Sequence, residues 1–265
     1  MISKMLNVSI VLPTFNEEEN LKILIPDLIK HLSGVKELLF EIIVIDDNSS
    51  DATADVVSKI METNNQVKLK VRESDPSLPL SIYEGIEQSQ YEYVMWMDAD
   101  CSMPAEDAKR LIDKLSLERN KVIIGSRFAE GGGYKGIESD GNNSLINVIK
   151  NIYKSEDSLL AVFLSRIFNF LLIFLLNSNV KDITSGFIVG KKEYFKKEYF
   201  SIANYGDYFV YLVSGLDRNK VDCEEVGYIC LTRQYGESKT ANNLIDLTLK
   251  GWPYIKAAII SRIKK

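Results

Sequence analysis

Through the first half of the chain, short hydrophobic runs alternate with segments of helical spacing. "VSIVLP" (8–13) predicts a strand, and "EEENLKILIPDLIKHL" (17–32) predicts a helix whose acidic first turn suits the positive end of its dipole. "FEIIVID" is apolar through its middle, as in a strand buried on both faces of a parallel sheet. "NSSDATADVVSKIM" predicts a helix with Ser49, Ser50 and Asp51 as capping residues. "VKLKVRE", "YVMWMD" and "KVIIGSRF" predict three more strands, separated by the helices "LPLSIYEGIEQSQ" and "AEDAKRLIDKLS", the latter preceded by Pro104. This β-α order predicts an α/β fold with a doubly wound, mainly parallel sheet and right-handed crossovers.

The second half is less regular. "AEGGGYKGIESDGNNS" breaks the pattern and predicts a mobile loop or lid within 129–160. "LLAVFLSRIFNFLLIFLL" (159–176) approaches the roughly 20 apolar residues that cross a bilayer. Ser165, Arg166 and Asn169 interrupt it, and an arginine there is costly in lipid. A buried core helix and a helix lying in the membrane interface are the two readings left. A helix near "GDYFVYLVSGLDRN" and a strand "VDCEEVGYICLTR" follow. The tail, 241–265, carries Trp252, Tyr254, Lys256, Arg262, Lys264 and Lys265, an amphipathic pattern suited to a lipid headgroup layer or to a solvated helix.

Charge and cysteines narrow the class. A net charge of −5 over 265 residues argues against a general nucleic-acid binder. Cys101, Cys223 and Cys230 fit no zinc spacing and cannot all pair with one another, so reduced thiols in the cytoplasm are expected. The start lacks a signal peptide's long apolar stretch and cleavage site. No G-x-G-x-x-G follows the first strand, which counts against a dinucleotide-binding oxidoreductase.

The candidate chemistry falls at the carboxyl ends of the predicted strands, where sheets of this kind bind ligands. Pro13 to Glu17, Asp46, Asp47, Asp98, Asp100, Ser126 and Arg127 all lie there. Alternate residues of an extended segment point the same way, so Asp98 and Asp100 are expected to face one point, where a positive charge or a shared proton must relieve them. A hard cation such as Mg²⁺ or Mn²⁺ suits the pair; the alternative is that Asp100 caps the following helix. Glu17, Asp46 and Asp47 offer acceptors for a base edge or ribose hydroxyls, whereas Glu18, Glu19 and Asp51 suit helix caps. The single histidine, His31, sits in a helix away from every strand end, and no catalytic role is expected of it.

The segments "PTFNEEENL", "IIVIDDNSSDAT", "MDADCSMP", "GSRF", "DITSGF" and "RQYGESK" occur in one order across 8–239. In this the chain resembles the family-two inverting glycosyltransferases, and within them the polyprenol-phosphate (dolichol-phosphate) mannosyltransferase type. The resemblance implies a GT-A-like, Rossmann-like nucleotide-sugar-binding fold over 1–240, with a donor half at 1–128 and an acceptor-side helical extension at 129–240. It implies a GDP- or UDP-linked sugar donor, a polyprenyl phosphate acceptor and a metal-dependent enzyme lying peripherally on the inner face of the membrane.

Carried over by position, Pro13, Phe15, Glu17, Asp46 and Asp47 resemble the nucleoside pocket, with Arg72 and Ala99 added to the donor set. Asp98 and Asp100 resemble the metal and sugar-diphosphate site, and Ser102 stands where relatives can place a further, glutamine ligand. Arg127, Ser165 and Arg166 resemble the acceptor-phosphate site; Arg233, Ser238 and Lys239 resemble a loop closing on the phosphates. Asp98, Asp100, Arg127 and Arg233 thus form the expected catalytic set. Asp207 departs from the type, and is either a base for a hydroxyl acceptor or the cap of the helix at Tyr208. A glycan-hydroxyl acceptor and a non-catalytic nucleotide-sugar-binding module are the competing functions. A nucleotidyltransferase lacks support, because its glycine-rich phosphate loop is missing.

Overall fold

The computed structural model describes residues 5–134, 156–233, 235 and 244–264, with the backbone alone over 156–164 and 244–250. Strands β1 (Leu6–Thr14), β2 (Leu38–Asp46), β3 (Val67–Val71), β4 (Tyr93–Trp96) and β5 (Val122–Ser126) are connected by helices α1 (Glu18–Ser33), α2 (Thr53–Met61), α3 (Leu78–Gln88) and α4 (Ala105–Leu117). Two two-residue strands, β6 (Gly133–Tyr134) and β9 (Ile229–Cys230), form a separate ribbon. The remaining elements are α5 (Glu156–Leu176), β7 (Ile188–Lys191), α6 (Glu198–Ser201), α7 (Tyr208–Arg218), β8 (Cys223–Gly227) and α8 (Leu244–Ile263). The main sheet has the order β3-β2-β1-β4-β7-β5-β8, and β7 alone runs antiparallel to its neighbours.

The apolar runs become buried strands because both sheet faces are covered. On one face α1 and α4 contribute Leu21, Leu28, Leu111 and Leu115 to the core; on the other, Ile82, Leu172, Phe209, Leu212 and Ala257 come from α3, α5, α7 and α8. Helix α3 lies close on β1. A Cβ at Gly85 would come within 2.2 Å of Val11, so only glycine permits that approach, which sets the α3 N-terminus against the strand ends.

One buried polar tie crosses the sheet. The Glu41 carboxylate accepts from Ser9 Oγ at 2.5 Å, Lys68 Nζ at 2.6 Å and the Gln90 N–H at 2.9 Å, joining β1, β2, β3 and the entry to β4. Full burial of Glu41 and Ser9 makes these bonds obligatory.

Three expectations are revised. "VDCEEVGYICLTR" divides at Tyr228 into β8, in the main sheet, and β9, in the ribbon. "GFIVGKK" supplies β7, which enters between the fourth and fifth predicted strands. Helix α5 is not the wholly buried core helix of the first reading: Asn169, Leu172 and Leu176 are buried, while Phe170 and Phe174 are 70% and 75% exposed. Among the described residues no helix is long and apolar enough to cross a membrane. All three cysteines are free thiols. Of the predicted lid, 135–155 lies outside the described residues.

Glu41→Ala leaves the Ser9 hydroxyl and the Gln90 N–H without their buried acceptor, and is expected to lower unfolding free energy by about 2–3 kcal/mol in urea titration.

Candidate active site

A cavity of about 320 Å³ opens at the carboxyl ends of β1, β2 and β4, and it gathers Pro13, Phe15, Glu17, Asp47, Asp98, Ala99, Asp100 and Arg233 from the expected set. Its order follows the sheet: the ends of β2 and β1 at one side, the end of β4 in the middle, and the residues leading into β7 at the other side.

Consecutive acids at the end of β2 have different tasks. The Asp46 carboxylate accepts from the Ser49 N–H at 3.2 Å and from its hydroxyl, holding the turn rather than lining the cavity. Asp47 does line it, its carboxylate fixed by Arg72 and by the Ser77 N–H at the start of α3. Arg72 is buried behind that wall and also donates to Glu84 and Ser81, both at 3.2 Å. Its role is thus to orient Asp47, not to line the cavity.

Strand β4 ends at Trp96, whose indole N–H donates to the Tyr208 hydroxyl at 3.0 Å. The acidic pair follows. Asp100 is buried; one oxygen accepts the Ser102 N–H at 2.9 Å and the other accepts Arg233 Nε at 2.7 Å. Arg233 also lies 4.0 Å from Glu17. Asp98 has no hydrogen-bond partner for its carboxylate among the described residues. Desolvation first, and repulsion from Asp100 second, push its carboxyl up to about 7, against the pull of Arg233 and Arg127.

These donors fit a divalent cation. Mg²⁺ and Mn²⁺ take one or two carboxylates and complete their shell with water and substrate phosphates. Asp98 and Asp100 supply that number, and the pair is electrostatically under-compensated. Among the described residues no group of three acidic, histidine or cysteine ligands gathers. Ser102 contributes its N–H to Asp100 and does not line the cavity.

A second cavity of about 400 Å³ lies beyond β5, lined by Arg127, Phe128, Arg166, Asn169, Phe170 and Lys181. Arg127 spans Asp182 with Nε at 2.9 Å and Nη2 at 2.7 Å, and Nη2 also donates to Thr184 at 2.8 Å. Because Asp182 is fully buried, this bidentate pair is held rigidly. Thr184 lines the first cavity, so Arg127, Asp182 and Thr184 form the partition between the two. The Arg127 guanidinium also lies 5.5 Å from the Phe128 ring, and that of Arg166 lies 6.0 Å from the same ring. Ser165 stands outside this lining, its Oγ 3.5 Å from the Tyr134 hydroxyl.

Asp207 is not in the first cavity. It is buried, and one oxygen accepts the N–H groups of Asn204 at 3.0 Å and Tyr205 at 2.7 Å. It stands at the N-cap position of α7, but its carboxylate makes no capping bond into the helix; its bonds run to the preceding loop, so the expected cap is corrected to a loop brace. Ser238 and Lys239 lie outside the described residues. Sequence reasoning missed Lys181, Asp182, Thr184, Tyr205, Tyr208 and Tyr254; only the "DITSGF" segment carried a signal for any of them.

The family description "Glycosyl transferase family 2" matches residues 9–198, which contain both strand-end acids and the partition. The chain belongs to that family. Over 129 residues it is 32% identical to the dolichol-phosphate mannosyltransferase of Pyrococcus furiosus, a stretch covering 48% of this chain and 35% of that protein. Over 125 residues it is 29% identical to the Saccharomyces cerevisiae enzyme of the same name, covering 47% of this chain and 46% of that one. The chain thus spans about a third to a half of the length of these relatives. In fold, this family 2 member is similar to glucosyl-3-phosphoglycerate synthase from Mycobacterium tuberculosis crystallised with Mn²⁺, UDP and phosphoglyceric acid, with TM-score 0.62 and 17% identity over 97% of this chain and 78% of that one. The same protein with Mn²⁺, UDP-glucose and phosphoglyceric acid gives 0.63, with 16% identity over 97% and 79%. The α/β, GT-A-type architecture expected of the sequence is therefore the one observed.

A carboxyl whose folded pKa lies above its unfolded value binds more protons when folded, so stability falls as pH rises from about 4 through about 7. Asp98→Asn removes that charge. It is expected to raise the stability of the ligand-free protein by about 1–2 kcal/mol at pH 8 and to change little at pH 4, measured by denaturant unfolding.

Proposed function

We propose that the protein is an inverting hexosyltransferase that moves a mannose- or glucose-type sugar from a GDP- or UDP-linked donor to a polyprenyl phosphate. The observation that carries this is the adjacency of the two cavities. An acidic pair suited to a cation on a diphosphate is separated by a single arginine partition from a cationic hollow beside exposed aromatic residues. The named relatives point the same way.

In this reading the base lies toward Phe15 and Asp47, and the diphosphate lies over Asp98 and Asp100. A bound Mg²⁺ or Mn²⁺ supplies positive charge to the departing diphosphate. Arg233, already poised at Asp100, can donate to the same phosphates as charge develops. Arg166 and Lys181 receive the acceptor phosphate, and Arg127 orients it from the partition. One acceptor oxygen bonds to the anomeric carbon as the bond from that carbon to the donor diphosphate breaks, which inverts the centre. A phosphate nucleophile is already anionic near neutral pH, so no base is required, consistent with Asp207 being engaged elsewhere.

Phe170, which lines the cationic cavity, is exposed, as are Phe174 on the same helix and Trp252 and Ile263 on α8, which packs against α5. Exposed apolar side chains on these two helices suit a peripheral position on a bilayer, with the lipid tail of the acceptor remaining among other lipids. On this reading the protein works at the cytoplasmic face. A hydroxyl-bearing acceptor is the second reading, favoured by the phosphoglyceric acid bound in the fold relative; it requires a base other than Asp207.

Labelled GDP-mannose or UDP-glucose, incubated with polyprenyl phosphate and Mn²⁺, is expected to give a solvent-extractable glycolipid, and the absence of product from every common donor would reject the acceptor. Asp100→Asn should reduce kcat by about 10²–10³-fold. Arg166→Gln should raise the KM for the lipid phosphate by about tenfold with little change in the donor KM, measured by initial rates.

A further inference from the structure

The donor cavity has a wall that comes from outside the family-matched stretch. Tyr254 belongs to α8, well beyond residue 198, yet it lines the same cavity as Asp98 and Asp100. Its position within that cavity follows from the sheet. The β1 and β2 ends occupy one side and the acidic pair of β4 the middle, so the segment before β7 and the Asn204–Gly206 loop form the far side. Since a nucleoside diphosphate sugar is linear in its parts, a base near β1 and a diphosphate at β4 put the hexose on this far side, next to the Arg127 partition.

Two contacts fix Tyr254 there. Its ring packs edge-on against Phe168 of α5 at 5.8 Å. Its hydroxyl lies against Gly206, where a Cβ would come within 2.1 Å of the oxygen. Glycine at 206 is therefore what makes room for the hydroxyl. No described residue hydrogen-bonds to it. Burial, then the neighbouring Tyr205 and Asp207, push the phenol well above its ordinary value, so it remains a neutral donor across the working pH range. Tyr208, nearby, instead has its oxygen engaged by Trp96.

We propose that Tyr254 hydrogen-bonds a hydroxyl of the transferred hexose, so that the C-terminal helix takes part in choosing the sugar. This rests on the donor reading above. A half-buried group aimed at a substrate hydroxyl discriminates against sugars that present none in that place.

The test compares binding of UDP and GDP with binding of UDP-glucose and GDP-mannose in the presence of Mn²⁺, by calorimetry on the full chain. Tyr254→Phe keeps the ring contact and removes only the hydroxyl. It is expected to weaken the preferred sugar nucleotide about tenfold while changing the matching diphosphate less than twofold. Gly206→Ala, which displaces the hydroxyl from the other side, should show the same sugar-selective loss, and the double variant should lose no more than either single one. Equal losses for diphosphate and sugar nucleotide, or no loss for either, overturn the role of Tyr254 and leave the donor reading standing. A wild-type protein that binds none of the four nucleotides overturns the donor reading, and this inference with it.

Discussion

Two carboxylates cannot share a poorly solvated strand end as full charges unless something positive stands by them. That constraint organises this molecule. β4 is buried along its whole length between β1 and β7, so it can deliver Asp98 and Asp100 only to the mouth of a cavity. Arg233 is drawn from far along the chain to Asp100, and Arg127 contributes from within the partition. The surplus negative charge that persists is of the kind a divalent cation would relieve.

The antiparallel strand β7 gives this arrangement its second half. Entering between β4 and β5, it brings Asp182 and Thr184 to the same sheet edge as the acidic pair. Arg127, at the end of β5, then has a buried carboxylate to grip, and its guanidinium becomes part of the framework. A basic residue that is merely exposed would pay a larger entropic cost to hold one orientation. Here the bidentate pair with Asp182 has met that cost before any ligand arrives.

Much of the fold was readable because it rests on local periodicity. The five strand runs and the helices between them carry their own pattern, and the acids at their ends stand where parallel sheets bind ligands. What could not be read depends on partners far apart. Asp46 and Asp47 are adjacent and chemically alike; Asp46 is held by the nearby Ser49, whereas Asp47 is set in the cavity wall by Arg72 and Ser77, 25 and 30 residues further on. Asp207 read equally as a base or a cap because the loop N–H groups it accepts are fixed by tertiary packing. Tyr254 read as part of a headgroup-facing tail; its burial depends on α8 docking against α5 and α7, which no window of sequence reports. β7 was hidden for the related reason that an antiparallel insertion has no signature in β-α alternation.

Pro253 stands in the interior of α8, between Trp252, which is 61% exposed, and Tyr254, whose hydroxyl reaches the cavity. A ring at that place withholds an N–H from the turn before it and weakens the helix at its midpoint. One short stretch of backbone therefore carries an exposed ring and a cavity wall, with a built-in soft joint between two neighbours that look in opposite directions. A chain severed ahead of Leu244 would lose an exposed aromatic side chain and one wall of the cavity in the same cut.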